Sequence, residues 1–138
     1  MSQPPAPPPI GPSDPGGLDA ETRGWGVAAH LSAFVGSWLL VAFVGPLVVY
    51  LLGRDRHPSI AHHAREALNF QLTVFIVVVL AGTAAAVFAV LTLGIGILLL
   101  APLAAAFALA WLVIVIVAAV KAWDGHPYRY PLTIRFVR

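Results

Sequence analysis

Most of the side chains here that could do chemistry crowd into one short stretch. The segment from Gly53 to Ala67 carries Arg54, Asp55, Arg56, His57, His62, His63, Arg65 and Glu66. His62, Glu66, Asn69 and Thr73 are spaced four, three and four, which aligns them on one face of a continuous helix. Two readings stay open for this stripe. It makes hydrogen bonds to neighbouring helices, or it binds a partner or lines the path of a substrate. His62 and Glu66, one turn apart, could supply two metal ligands, with His57 or His63 adding a third, but a stable site wants three or four. If the first apolar segment is one helix, His30 lies about 22 residues from Leu52, roughly 33 Å along the axis, and belongs near the opposite surface. That spacing excludes a haem held between His30 and His62. The expectation is no metal and no cofactor.

Catalysis has little to work with. The chain has no cysteine, which removes thiolate chemistry, disulfides and cysteine-ligated metals. No Ser/His/Asp arrangement, phosphate loop or dinucleotide fingerprint is visible, and Gly94 and Gly96 lack the strand and following helix that such a fingerprint needs. Of the six carboxylates only Glu66 falls near the apolar segments, which argues against a carboxylate proton relay. No catalytic residue is assigned, and the protein is expected not to be an enzyme.

The elements that must position these residues follow from the charge map. No Asp, Glu, Lys or Arg occurs between Arg23 and Arg54, nor between Glu66 and Lys121. The chain is 59% hydrophobic and only 10% charged, outside the balance of soluble domains. About 20 apolar residues cross the hydrocarbon core, so the first stretch fits one span and the second two. The expected fold class is an all-α integral membrane protein with three transmembrane helices, at about 27–52, 68–90 and 98–120. Span one contains Gly45-Pro46 as a kink and a small-residue ladder, Ala28–Ser32–Gly36, suited to close helix approach. Pro58-Ser59 reads as a helix start with Ser59 as N-cap, continuing unbroken into span two. Span two has ladders at Ala81–Ala85–Ala89 and Gly82–Ala86. Thr92 to Gly96 is a tight turn between antiparallel helices. Span three offers Ala101, Ala104, Ala105 and Ala108 as a further close-packing face.

Residues 1–24 form a Pro/Gly-rich tail expected to be disordered, 25–122 the membrane domain, and 123–138 a basic, aromatic C-terminal tail. In that last segment Leu132, Ile134 and Phe136 alternate with Thr133, Arg135 and Val137, the pattern of a short strand or of an extended piece on the bilayer surface. Three spans leave Arg23 alone on one side and the other seven basic residues on the second. The positive-inside rule then places the N-tail outside and the first loop and C-tail in the cytoplasm. A bacterial cytoplasmic membrane is the expected location. The partners are the lipid bilayer and a membrane protein or further copies of the chain, with no nucleic acid.

Three strings carry a resemblance: AHLSAF, HHAREALNFQLT and HPYRYPLTIRFVR. With them, residues 24–138 resemble the Tic-twenty-like family of small prokaryotic membrane proteins of unknown function, related in pattern to the channel-type component of the plastid inner-envelope import translocon. The resemblance implies an all-helical membrane fold. Its signature falls on His63, Ala64, Glu66, Ala67, Leu68, Asn69, Phe70 and Gln71, and on Tyr128, Arg129, Tyr130, Pro131, Leu132 and Arg135. The plastid relatives are described with four spans, against three here. The function expected is a non-enzymatic subunit or assembly partner of a membrane complex. The alternative is a homo-oligomeric channel or translocation element. His63, Gln71, Tyr128, Arg129, Tyr130 and Arg135 are the candidate signature contacts.

Overall fold

The computed structural model describes residues 17–37 and 41–138. Four helices make up the regular structure of the described residues: α1 (Ala20–Ser37), α2 (Val44–Gly53), α3 (Pro58–Leu91) and α4 (Gly96–Trp123). The part of the expected disordered tail at 1–16 lies outside the described residues. Its last residues, Ala20 to Gly24, belong to α1 rather than to a tail. The Asp19 carboxylate accepts from the Thr22 amide at 2.8 Å and satisfies one of the donors a helix start leaves open. The hydrogen bonds from Thr22 hold the Asp19 carboxyl below its usual range.

The expected first span is not one helix. It divides into α1 and α2, which pack against each other as a hairpin. Glycine permits the close approach. A Cβ at Gly45 would run into the Ser32 backbone, and one at Gly36 would meet the Val41 carbonyl. Ser32 and Gly36 of the small-residue ladder thus face the second half of the segment that contains them. Arg56 reaches back to Glu21 at 3.4 Å and lies over the Trp25 ring at 4.8 Å, so the start of α1 and the α2–α3 loop share one end of the molecule. The expected single first span is therefore replaced by two helices, and the start of α1 lies beside the α2–α3 loop rather than opposite it.

α3 starts at Pro58, as expected, but the cap is His57 rather than Ser59. His57 is extended, and its side chain accepts the Ser59 amide at 3.1 Å. Proline at the first helical position gives up only an amide that has no helical partner. The helix then runs unbroken for 34 residues, about 51 Å at 1.5 Å per residue. It ends where Leu93 and Gly94 take positive φ and the Gly94 amide closes on the Ala89 carbonyl at 2.7 Å. α4 then returns antiparallel through Pro102.

Two regions result. In the first, α1 packs on α2, on the N-terminal part of α3 and on α4, with Ala29, Ala33, Ala64, Ala67, Ala118 and Ala122 buried at the contacts. Phe34 meets Trp111 edge-on at 5.2 Å, and Phe43 meets Phe75 at 5.4 Å. In the second, α3 beyond Val74 and the facing part of α4 expose apolar side chains almost throughout. These two helices are long and apolar enough to cross a membrane, whereas the ten-residue α2 is not.

Candidate functional site

The polar stripe sits on α3 where the packed base meets the exposed helical pair, and its occupant is the chain's own C-terminal segment. The His62 imidazole Nε2 is 3.3 Å from the Tyr128 carbonyl. Glu66 accepts the Tyr130 amide at 3.2 Å. Asn69 accepts the amides of Phe136 and Val137 at 3.0 and 2.8 Å and donates to the Val137 carbonyl at 2.9 Å. Thr73 accepts the Ile134 amide at 3.0 Å while donating to the Asn69 carbonyl at 2.8 Å. All four stripe residues therefore bind backbone of residues 128–137. Polar side chains near apolar surroundings need partners, and an extended segment has unpaired amides to offer. Each supplies the other. The segment is irregular rather than a strand, and it is fixed on α3 rather than spread on a surface.

A second set of contacts pins this clasp to α1. The Tyr130 hydroxyl lies 2.9 Å from His30 Nδ1, and His30 Nε2 lies 3.1 Å from His63 Nδ1. Whichever way its protons point, this chain is complete with both imidazoles neutral. All three residues are at most 3% exposed, and burial, followed by Tyr128 and Glu66, pushes the Tyr130 hydroxyl above its usual pKa. The buried chain ties α1, α3 and the tail together. His30 is thus a neighbour of His63, not a residue of the opposite surface. The earlier distance assumed a straight first span, and the hairpin removes that premise. The Tyr130 ring also stacks on Phe70 at 4.0 Å.

The remaining signature residues divide by exposure. Gln71 is buried and accepts the Trp111 indole N–H at 3.0 Å, while its own amide nitrogen has no partner among the described residues. Tyr128 is half-buried and meets Tyr130 edge-on. Arg135 reaches Glu66 at 3.7 Å. Arg129 is exposed. Among the candidate signature contacts Arg129 is thus exposed, whereas Tyr130 is buried. The expected ladders Gly82–Ala86 and Ala101–Ala104–Ala105–Ala108 are exposed, and nothing lies within 4 Å of a Cβ at Gly82. Among the described residues, no group of three or more His, Asp or Glu converges as a metal site.

These features define a class: a small, all-helical membrane protein with two long apolar helices and a tail clasped onto the polar foot of one of them. Residues 21–137 match the family model of MamF/MmsF, the magnetosome magnetite crystal formation protein family, and the chain belongs to that family. No curated protein and no solved structure matches it. The match overturns the Tic-twenty-like assignment, which rested on three short strings. Two of those strings, HHAREALNFQLT and HPYRYPLTIRFVR, are the two sides of the clasp. They form the contacts that hold the tail on α3.

Proposed function

We propose that this protein is a non-enzymatic subunit of the membrane assembly in which magnetite crystals form, and that it contacts another membrane protein or its own copies through the exposed faces of α3 and α4. The observation that carries the reading is the uncovered small-residue surface, Gly82–Ala86 on α3 and Ala101–Ala104–Ala105–Ala108 on α4. Small residues let helix backbones approach closely in lipid, where apolar surface alone gives no drive to associate. Family membership supports the link to crystal formation.

All eight Lys and Arg residues fall at the end of the molecule that holds the loops and the clasp, and none falls near the Thr92–Ile95 turn. The positive-inside rule puts that end in the cytoplasm and the turn across the membrane. In this reading the polar stripe does not line a path, because its hydrogen-bonding atoms are taken by the tail.

The test places bulk where nothing in the chain is displaced. Gly82→Leu with Ala86→Leu should leave protein abundance and monodispersity unchanged. It should also deplete the co-extracted partner or self-associated species from lipid nanodiscs and alter crystal size or number under electron microscopy. Unchanged crystals together with an unchanged set of co-extracted proteins would refute the proposal.

A further inference from the structure

Beside the clasp lies a cavity of about 320 Å³ whose walls are strongly basic. Arg65, Arg129, Arg135 and Arg138 line it, with His62, and Glu66 supplies the one side-chain carboxylate. Glu66 is already engaged by Arg135 at 3.7 Å and by the Tyr130 amide. Arg65 spends its Nε on the Ala61 carbonyl at 3.1 Å, which leaves its terminal nitrogens available. Arg129 and Arg138 have no ion-pair partner among the described residues. Four arginines drawn from a helix and from the tail clasped to it thus line one space, with an excess of positive side-chain charge.

We infer that this cavity is a binding site for a phosphate-bearing anion. Guanidinium presents a planar fork of donors that matches phosphate oxygens two at a time, and it keeps its charge at any working pH. The volume suits a headgroup-sized anion rather than a bare halide. The cavity's position points to the phosphate of an anionic phospholipid. A second cavity, of about 310 Å³, lies between α3 and α4 across the same tail, where Phe70, Val77, Phe107, Trp111 and Leu132 give it an apolar lining that an acyl chain would fill. The inference rests on the cavity and does not require the partner reading above.

The experiment uses the full chain in detergent and reads bound species by native mass spectrometry. One arm offers phosphatidylglycerol against phosphatidylcholine, and the other offers inorganic phosphate or pyrophosphate. The expected result is retention of phosphatidylglycerol over phosphatidylcholine, reduced at least about tenfold in Arg129→Gln/Arg138→Gln, in line with the loss of charge-assisted hydrogen bonds. Binding of the soluble anions with the same sensitivity to the double variant would uphold the site and make its natural ligand a soluble phosphate. Arg54→Gln, which removes a positive charge outside the cavity, should leave binding unchanged. The inference is overturned by equal retention of both lipids with no phosphate binding, by a double variant that binds like the parent, or by an equal loss in Arg54→Gln.

Discussion

Asn69 is the residue on which the clasp depends most, so its replacement is the sharpest test of the architecture. It is 1% exposed and makes three hydrogen bonds to the backbone of Phe136 and Val137, at 2.8 to 3.0 Å. Asn69→Leu removes all three. At about 0.5–1.5 kcal/mol net for each bond, the tail loses roughly 1.5–4.5 kcal/mol of attachment. The freed backbone groups need not stay unpaired, because Phe136 is half-exposed and the segment can peel into water. The cost therefore appears as local opening rather than loss of the helical fold. At 1.4 kcal/mol per factor of ten, hydrogen exchange of the Phe136 and Val137 amides should accelerate by roughly ten- to a thousand-fold. Exchange in the middle of α3 should hold steady. Asn69→Asp keeps the one oxygen that accepts both amides but sets a carboxylate oxygen against the Val137 carbonyl and buries a charge, so it should free the tail as well. Parent-like protection of the two amides in Asn69→Leu would refute the clasp.

Three further perturbations address the rest of the fold. Gly45→Val drives a side chain into the Ser32 backbone and should cost about 1–3 kcal/mol as the α1–α2 hairpin is forced apart, whereas Gly82→Ala, with open space around it, should be neutral or mildly stabilising. Equal thermal midpoints for the two variants in detergent would contradict the close approach. Gln71→Leu leaves the Trp111 N–H without its acceptor and should destabilise by about 1–3 kcal/mol, and adding Trp111→Phe should recover part of that loss, since removing both partners costs less than removing one; strict additivity in the thermal-melt cycle would count against the pairing. Burial raises the Tyr130 pKa above its usual value of 10.0, so the folded state resists ionisation that the unfolded chain accepts. The stability it contributes is complete below pH 10.0 and is lost as pH rises above it, and Tyr130→Phe should lessen the alkaline loss measured by thermal melts from pH 9 upward.

What could be read from the sequence was what local signals encode. Pro58 announced α3, the spacing of His62, Glu66, Asn69 and Thr73 put them on one face, and the two glycines near Thr92 marked the turn. The break after Ser37 had no such marker. It falls inside an uncharged apolar run whose Gly45-Pro46 reads equally as a kink in one helix or as the first turn of a second, so a continuous span and a hairpin look alike in composition. Gly36 and Gly45 were the clue, because each stands where the other arm of the hairpin comes within backbone contact. The link between His30 and His63 followed from that reversal and could not be found without it. The clasp was hidden for another reason: it pairs side chains with backbone more than sixty residues away, a contact that no periodicity records. Counting unmet donors and acceptors would have suggested it. Four polar residues entering an apolar helix needed partners, and an extended tail with free amides was at hand.

The clasp also explains why a helix pair as apolar as α3 and α4 can carry so polar a foot. Larger bundles bury a polar stripe against neighbouring helices, whereas here the tail takes that place and brings Arg129, Arg135 and Arg138 with it to join Arg65. Tail attachment and the basic cavity are therefore one structure. Asn69→Leu, which leaves every arginine in the sequence, should weaken anion binding in step with the loss of Phe136 and Val137 protection. Arg129→Gln/Arg138→Gln should weaken anion binding while protection stays high, because neither side chain holds the clasp. If Asn69→Leu frees the tail yet binds the anion as before, the arginines do not need the clasp to converge, and the coupling between tail and cavity is wrong.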